Sequence, residues 1–394
     1  MIKPLEGIRI LEWGIAYAGP GAAAILSDLG AEVIKIEQPL IGDPTRYLSG
    51  MRLEIEGDVN IIFNTANRGK KSITIDLAHA DGKKIVYDMA AKSDVFLTNL
   101  RSPTIDKMNM DYPSLAGVNP RIIYARVSAY GTLGPDADRG GYDPQGQARS
   151  GMMYMLNEAE PRMIPGGVVD HATAIMASYQ IMIALFMRER LGIGQEVDVS
   201  LLGSASYLMY LDNLLRLSKR WGSFRRDELS PLRAHYKCED GEWLILRTPD
   251  RDWPTVCRLI GVESPENDQK FKDMEKKPAH ARELIAVFRK AFAGKRRSEW
   301  LRIFSDKNLI ICAVNSKADA LDDPQMVENG YVVDFMHPDM GKVRIPAFPI
   351  RFSKAEVKSQ LIGPKLGENT FEILHNLLSY SDDDIAKLKE NGVI

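Results

Sequence analysis

Between Gly7 and Leu202 the chain repeatedly changes its hydrophobic period. Short runs rich in Ile, Val, Leu and Tyr alternate with stretches whose apolar residues recur at helical spacing. The strand-like runs are GIRILEW, EVIKIEQP, KSITIDL, DVFLTNL, RIIYARVSAYG and QEVDVSLL, the last read from Gln195 to Leu202. The helical ones are GPGAAAILSDLGA, read as a glycine-rich turn and a helix ending near Gly30, then ADGKKIVYDMAAKS and the apolar segment after Asp170. Such alternation predicts an α/β fold, a parallel sheet with helices on both faces, because parallel neighbours need long crossover connections.

At 394 residues the chain exceeds one ordinary domain. Residues 1–210 are expected to form a large Rossmann-like domain, and the mixed segment LMYLDNLLRLSKRWGSFRRD (208–227) to leave it. A smaller α+β domain is expected over 227–323, and 324–394 to return and complete the first. HYKCEDGEWLILRTP predicts a hairpin turning at Asp240–Gly241, with helices near 253–260, 280–294 and 297–305. DFMHPDMGKVRIPAFPIRFS is strand-like, and the C-terminal stretch reads as two helices, the second opened by Ser381 and Asp384.

A net charge of −2 gives no electrostatic basis for nucleic acid or an anionic membrane as partner. Cys238, Cys257 and Cys312 are too scattered for a disulfide framework or a zinc site, so no metal is expected and a cytoplasmic location fits. The N-terminus does not read as a signal peptide. The segment after Asp170 has the residue count of a membrane span, but Thr173, Ser178 and Gln180 interrupt it, and a buried helix is expected instead.

Several constellations invite chemistry. Gly19, Gly21 and Ala24 satisfy GxGxxA, but Pro20 removes a backbone N–H from the turn, so a packing turn is preferred to a dinucleotide site. Asn67, Arg68, Lys70 and Lys71 stand together before a strand, either to hold phosphates or as a solvated loop. RLSKRWGSFRRD mixes cations with Trp221 and Phe224 and reads as a solvated linker. Asp170 precedes the apolar helix. From the pattern alone an N-cap is the preferred reading; the same geometry suits a reactive carboxylate in the field of the helix terminus, with amides nearby for an oxyanion. His171 is open between packing, orienting and catalysis.

Taken in order, AGPGAAAILSDLGAEVIKIEQPLIGDPTRY, NRGKKSITIDL, DVFLTNLRSPTIDKMNMDYPSL, IIYARVSAYGTLGP, VVDHATAIMASYQIMIALFMRERLGIGQEVDVSLL and GENTFEILHNLLSYSDDDIAKLKENGVI resemble the class III CoA-transferases, the formyl-CoA, carnitine and phenyllactate CoA-transferase group. The resemblance runs through nearly the whole chain. It implies ring-shaped monomers in an interlocked homodimer, acyl-CoA and carboxylate substrates, coenzyme A as substrate and no permanently bound cofactor. It implies Asp170 as nucleophile, forming an aspartyl anhydride and then an aspartyl-CoA thioester. It also implies Asn99 near the active centre, Arg101 and Lys107 at CoA phosphates, Ile75, Leu77 and Met108 around the adenine, and Tyr142 lining the site. Tyr17 and Gln38 fall at site positions where formyl-CoA transferase has glutamine and arginine. No GGGGQ lid is present, which argues against a formyl or oxalate substrate. The Asp-His pair resembles the branch acting on aryl- or hydroxyacyl-CoA esters. The 2-methylacyl-CoA racemases share the fold and are the alternative. Their His of GHD is Tyr142 here, and a phenol is a poor base at neutral pH.

Overall fold

The computed structural model describes residues 2–47, 60–155, 159–215, 217, 230–262 and 277–394. Six strands form one parallel sheet: β1 (Arg9–Trp13), β2 (Glu32–Glu37), β3 (Lys71–Thr74), β4 (Val95–Thr98), β5 (Ile123–Ser128) and β6 (Gln195–Ser200). Their order is β3-β2-β1-β4-β5-β6, so the winding reverses between β1 and β4. This is the doubly wound order, in which ligands bind beyond the carboxyl ends of the strands at the reversal.

The two-residue period of a strand sends alternate side chains to opposite faces. Ile10, Val33, Val95, Leu97, Ile123 and Ala125 build one core, while Leu11, Ile34, Phe96 and Tyr124 build the other. Buried on both faces, these strands read as continuous apolar runs. On the first face lie α1 (Ala18–Asp28) and the long α7 (Val168–Leu191). Their contact is close because it is made of small residues: a Cβ on Gly21 would lie 3.2 Å from the Cβ of Ala174. Between these two helices in the chain come α2 (Ile61–Asn67), α3 (Ala80–Ala90), α4 (Ser102–Met108), α5 (Tyr112–Val118) and α6 (Asp143–Ser150), and after β6 come α8 (Leu201–Leu208) and α9 (Tyr210–Leu215).

Local readings differ from the sequence expectation at two points. Gly19 and Gly21 lie inside α1, and the turn is Gly14–Tyr17, with Ala16 in the left-handed region (φ 63°). The final strand stops at Ser200, whose side chain accepts from the Gly203 amide and starts α8, so Leu201 and Leu202 are helical.

The chain divides into two compact units, residues 1–213 with 327–394, and 214–326. In the second, β7 (His235–Lys237), β8 (Trp243–Leu246) and β9 (Ile311–Val314) form an antiparallel sheet. The expected hairpin is present, with Gly241 at φ 80° in its turn. Helices α10 (Trp253–Leu259), α11 (Lys277–Phe292) and α12 (Arg297–Ser305) accompany it, over a core containing Tyr236, Phe288, Phe292 and Trp300. The RLSKRWGSFRRD run, Leu217 apart, lies outside the described residues. In the first unit, β10 (Val332–His337) and β11 (Gly341–Pro346) pair antiparallel. The chain then returns along the edge strand β3, where Asn369 exchanges hydrogen bonds with the Ser72 backbone (3.0 and 2.9 Å). Pairing of this kind covers a sheet edge. Ser381 accepts from the Asp384 amide at the start of the last helix, Asp382–Glu390.

Candidate active site

The reversal of strand order places the loops after β1 and β4 side by side. Asn99, one residue beyond β4, accepts from the Ile15 amide through Oδ1 (2.9 Å) and donates to the Ile15 carbonyl through Nδ2 (2.7 Å). The glycines of the β1 loop permit this approach. A Cβ on Gly14 would lie 2.8 Å from Asn99 Oδ1, and one on Gly19 3.0 Å from the Asn99 Cβ.

Beneath the loop lies a fully buried group of charges. Lys35 Nζ donates to Glu12 Oε1 (2.8 Å) and to the Gly14 carbonyl (2.9 Å), and pairs with Asp43 (3.0 Å). Lys70 Nζ donates to Glu12 Oε2 (2.5 Å), the Pro20 carbonyl (2.8 Å) and Asn67 (2.9 Å). The two ammonium groups thus hold the carbonyls at either end of the Gly14–Pro20 segment. Burial works against the charge of Lys35, but Glu12, Asp43 and Glu37 outweigh it and raise its proton affinity. Burial lowers that of Lys70, against Glu12 and with help from Lys35.

Neither sequence reading of the 67–71 cluster survives. Asn67 and Lys70 face inward, Arg68 is paired with Asp28 (2.6 Å), and Lys71 with Glu32 and Glu372 (3.0 and 2.7 Å). It is neither a solvated loop nor a set of free cations.

Helix α7 opens above the loop. Its N-cap is Gly167, in the left-handed region (φ 68°), and Asp170 is the third helical residue. The capping reading of Asp170 is therefore corrected: the cap is supplied from α6 by Asp143, whose Oδ2 accepts from the amides of Val169 (2.6 Å) and Asp170 (3.0 Å). Those two amides are thereby unavailable to an oxyanion. Among the described residues, no donor hydrogen-bonds to the Asp170 carboxylate. Its Oδ2 lies 3.8 Å from where a Cβ on Gly167 would stand, so the glycine leaves that approach open. Partial burial and the charge of Asp143 raise the Asp170 pKa to about 7.

Two aromatic rings meet near the start of α7. Tyr17, at the start of α1, places its hydroxyl 3.4 Å from His171 Nδ1, with the rings edge to face at 4.6 Å. Burial raises the Tyr17 pKa to about 12, Arg68 opposing and Asp170 adding to the shift. The His171 pKa is lowered by the surrounding protein and by Arg68, with Asp143 opposing. Tyr17 is thus a neutral donor and His171 an uncharged ring at neutral pH.

The other sequence-selected residues occupy separate places. Gln38 is exposed just past β2. Ile75 and Leu77, past β3, are buried (2% and 7% exposed), and the Ile75 amide donates to the Glu37 carbonyl (2.8 Å). Arg101 is the N-cap residue of α4, beside Gly140, and Lys107 and Met108 end that helix. Both cations are exposed and, among the described residues, neither pairs with a carboxylate. Met108 packs partly on the second core, and Tyr142 is exposed immediately before Asp143. Sequence reading overlooked Glu12, Lys35, Asp43 and Asp143. Charges inside the apolar runs RILEW and EVIKIE were the available signal for the first two; nothing local marks Asp43 or Asp143.

A family model described as CoA-transferase family III matches residues 5–370. A succinyl-CoA:glutarate CoA-transferase from Mus musculus is 33% identical over 100% of this chain and 91% of its own length. The alpha subunit of a succinyl-CoA–L-malate CoA-transferase from Chloroflexus aurantiacus is 30% identical over 99% and 92%. Among solved structures, a CAIB/BAIF family protein from Brucella suis superposes with a TM-score of 0.84 at 29% identity, over 96% of this chain and 100% of that one.

Proposed function

Since the chain belongs to CoA-transferase family III, we propose that this CoA-transferase works through covalent acylation of Asp170 at the crevice between the β1 and β4 loops. The observation that carries the reading is a carboxylate with raised proton affinity, without a hydrogen-bond donor among the described residues, at the start of α7. A carboxylate nucleophile keeps acyl transfer potential that a hydroxyl would lose, because anhydride and thioester are close in reactivity.

Asp170 attacks the thioester carbonyl of the donor, releasing CoA thiolate and forming a mixed anhydride. The thiolate attacks the aspartyl carbonyl, expelling the donor acid and leaving an aspartyl-CoA thioester. The acceptor carboxylate attacks that thioester, regenerating thiolate and a new anhydride. Thiolate attack on the acceptor's acyl carbon then gives acceptor-CoA and free Asp170. The neutral Tyr17 hydroxyl is the donor suited to the oxyanion of each step. Arg101 and Lys107 are cations suited to CoA phosphates, with Asn99, Gln38, Met108, Tyr142 and the backbone of Ile75 and Leu77 as further contacts. Relatives named for succinyl-CoA make that thioester the first donor to try.

The racemase alternative needs a base where Tyr142 stands. It lacks support from the geometry, since Tyr142 is an exposed phenol, and from the transferase names of the relatives.

The protein is further proposed to be a cytoplasmic homodimer. Helix α7 is long and apolar enough to cross a membrane by composition, but one face is buried in the first core. Its other face exposes Ile175, Tyr179, Ile183 and Phe186 at helical spacing, and α8 and α9 expose Tyr207, Tyr210 and Leu211. A surface of this kind suits a second copy of the chain.

The deciding experiment incubates the protein with succinyl-CoA and a panel of carboxylic acids, quenches with hydroxylamine, and maps the modified residue by mass spectrometry. A hydroxamate on Asp170 is expected. Acyl exchange with an unmodified Asp170, or α-proton exchange without any acceptor acid, would overturn the reading.

A further inference from the structure

An aspartate in the first turn of a helix normally has its anion stabilised by the free amides and the helix dipole. Asp170 sits in such a turn, yet its proton affinity is raised. Burial of the carboxyl is the largest cause, and the charge of Asp143 adds to it; the geometry shows why the helix terminus does not offset them. The amides of Val169 and Asp170 are already taken by Asp143 Oδ2. A second carboxylate has thus occupied the position a reactive one would ordinarily settle into.

Asp143 is itself held firmly. Its Oδ1 accepts from Gln147 Nε2 (2.5 Å), and Gln147 bonds both the carbonyl and the amide of Ile164 (2.9 Å each), in the loop leading to α7. Asp143 and Gln147 are buried, and Gly146 between them lets α6 approach closely, since a Cβ there would lie 2.9 Å from Val169. One turn of α6 therefore fixes both the loop and the first turn of α7.

Resting on the reading that Asp170 is the nucleophile, we infer that Asp143 is its positioning residue: it caps α7 in place of Asp170 and sets the charge environment of the bare carboxylate. The charge acts in one direction. The free Asp170 anion is repelled by Asp143, whereas the acylated side chain in anhydride or thioester carries no charge and is not. Asp143 thus makes the carboxylate more basic and favours the covalent forms over the resting anion. The other titratable groups of this region are Tyr17 from α1, on which the Asp170 charge acts, and His171 on α7, with Arg68 acting on both.

The test uses Asp143→Asn, which keeps an oxygen acceptor and removes the charge, and Asp143→Ser, whose hydroxyl also caps a helix. In each variant folded by circular dichroism, Asp170 is titrated by carbon-13 NMR of labelled aspartate, assigned with Asp170→Asn. The Asp170 midpoint is expected to fall by about one pH unit or more, a tenfold change in proton affinity. The acid limb of kcat/KM should shift with it, kcat falling about 10- to 100-fold while KM for acyl-CoA stays within about threefold. An unchanged midpoint in either folded variant would overturn this inference. It would leave the aspartyl mechanism standing on the trapping experiment, which fails or succeeds separately.

Discussion

Asn99 and Ile15 exchange two hydrogen bonds, side chain to backbone in both directions, across the point where the sheet reverses its winding. The loops that follow β1 and β4 are locked together there, and Tyr17 is carried on the locked segment. Asn99→Ala removes both bonds and leaves the Ile15 amide and carbonyl to water. A stability loss of about 1–2 kcal/mol is expected, with kcat/KM down about 10- to 100-fold. Denaturant unfolding and steady-state kinetics on the same preparation measure the two effects.

Asp170→Ala is expected to lose about a thousandfold or more in kcat while remaining folded, since a nucleophile acts only in the chemistry. The pH dependence follows from the raised pKa. The reactive form is the anion, so kcat/KM should rise with pH through a midpoint near the Asp170 pKa of about 7. Stability has the opposite slope: the native state binds the Asp170 proton more tightly than the unfolded chain, so this group reduces stability as pH rises from about 4 to above 7. Asp170→Asn should therefore stabilise the protein at pH 8, by about 1–3 kcal/mol after allowing for partial exposure, and much less at pH 4. Thermal melts at the two pH values check the sign.

Glu12 and Asp43 face Lys35 and Lys70 with all four side chains out of solvent, and burial brings the Lys70 pKa down to about 7. Glu12→Gln leaves Lys70 without its carboxylate partner. The expected cost is about 3–5 kcal/mol, the range for breaking a buried pair from one side. Glu12→Gln with Lys70→Met should recover part of that loss. A double-mutant cycle by urea unfolding reads the coupling.

Tyr17→Phe keeps the ring against His171 and removes only the hydroxyl. As an oxyanion donor, Tyr17 should matter in the transition state more than in binding. The expected result is a fall in kcat of about 10- to 1,000-fold with KM nearly constant. Equal activity of the two proteins would remove Tyr17 from the chemistry.

The apolar stripe on α7 predicts its own outcome. Light scattering should give twice the chain mass, and Tyr179→Glu with Ile183→Glu should give monomers or aggregates. A wild-type monomer would contradict the homodimer.

The linear order of residues was enough for the architecture of the first unit. Strands buried on both faces must be apolar throughout, and GIRILEW, EVIKIE and DVFLT announce themselves that way, as does the Asp240–Gly241 turn through its glycine at φ 80°. Asp170 was legible as a carboxylate at a helix start; its position alone favoured a cap, and the family resemblance pointed to chemistry. Its actual state was not. Whether an aspartate caps its own helix or stands bare depends on which neighbour reaches the amides first, and here that neighbour is Asp143, distant in sequence and brought in by α6. The same holds for Lys70, which looks like a surface cation until Glu12, from β1, meets it in the interior. Local pattern determines which segments pair and which face turns inward. The partners of a polar group, and hence its charge and reactivity, are long-range properties that only the folded chain decides.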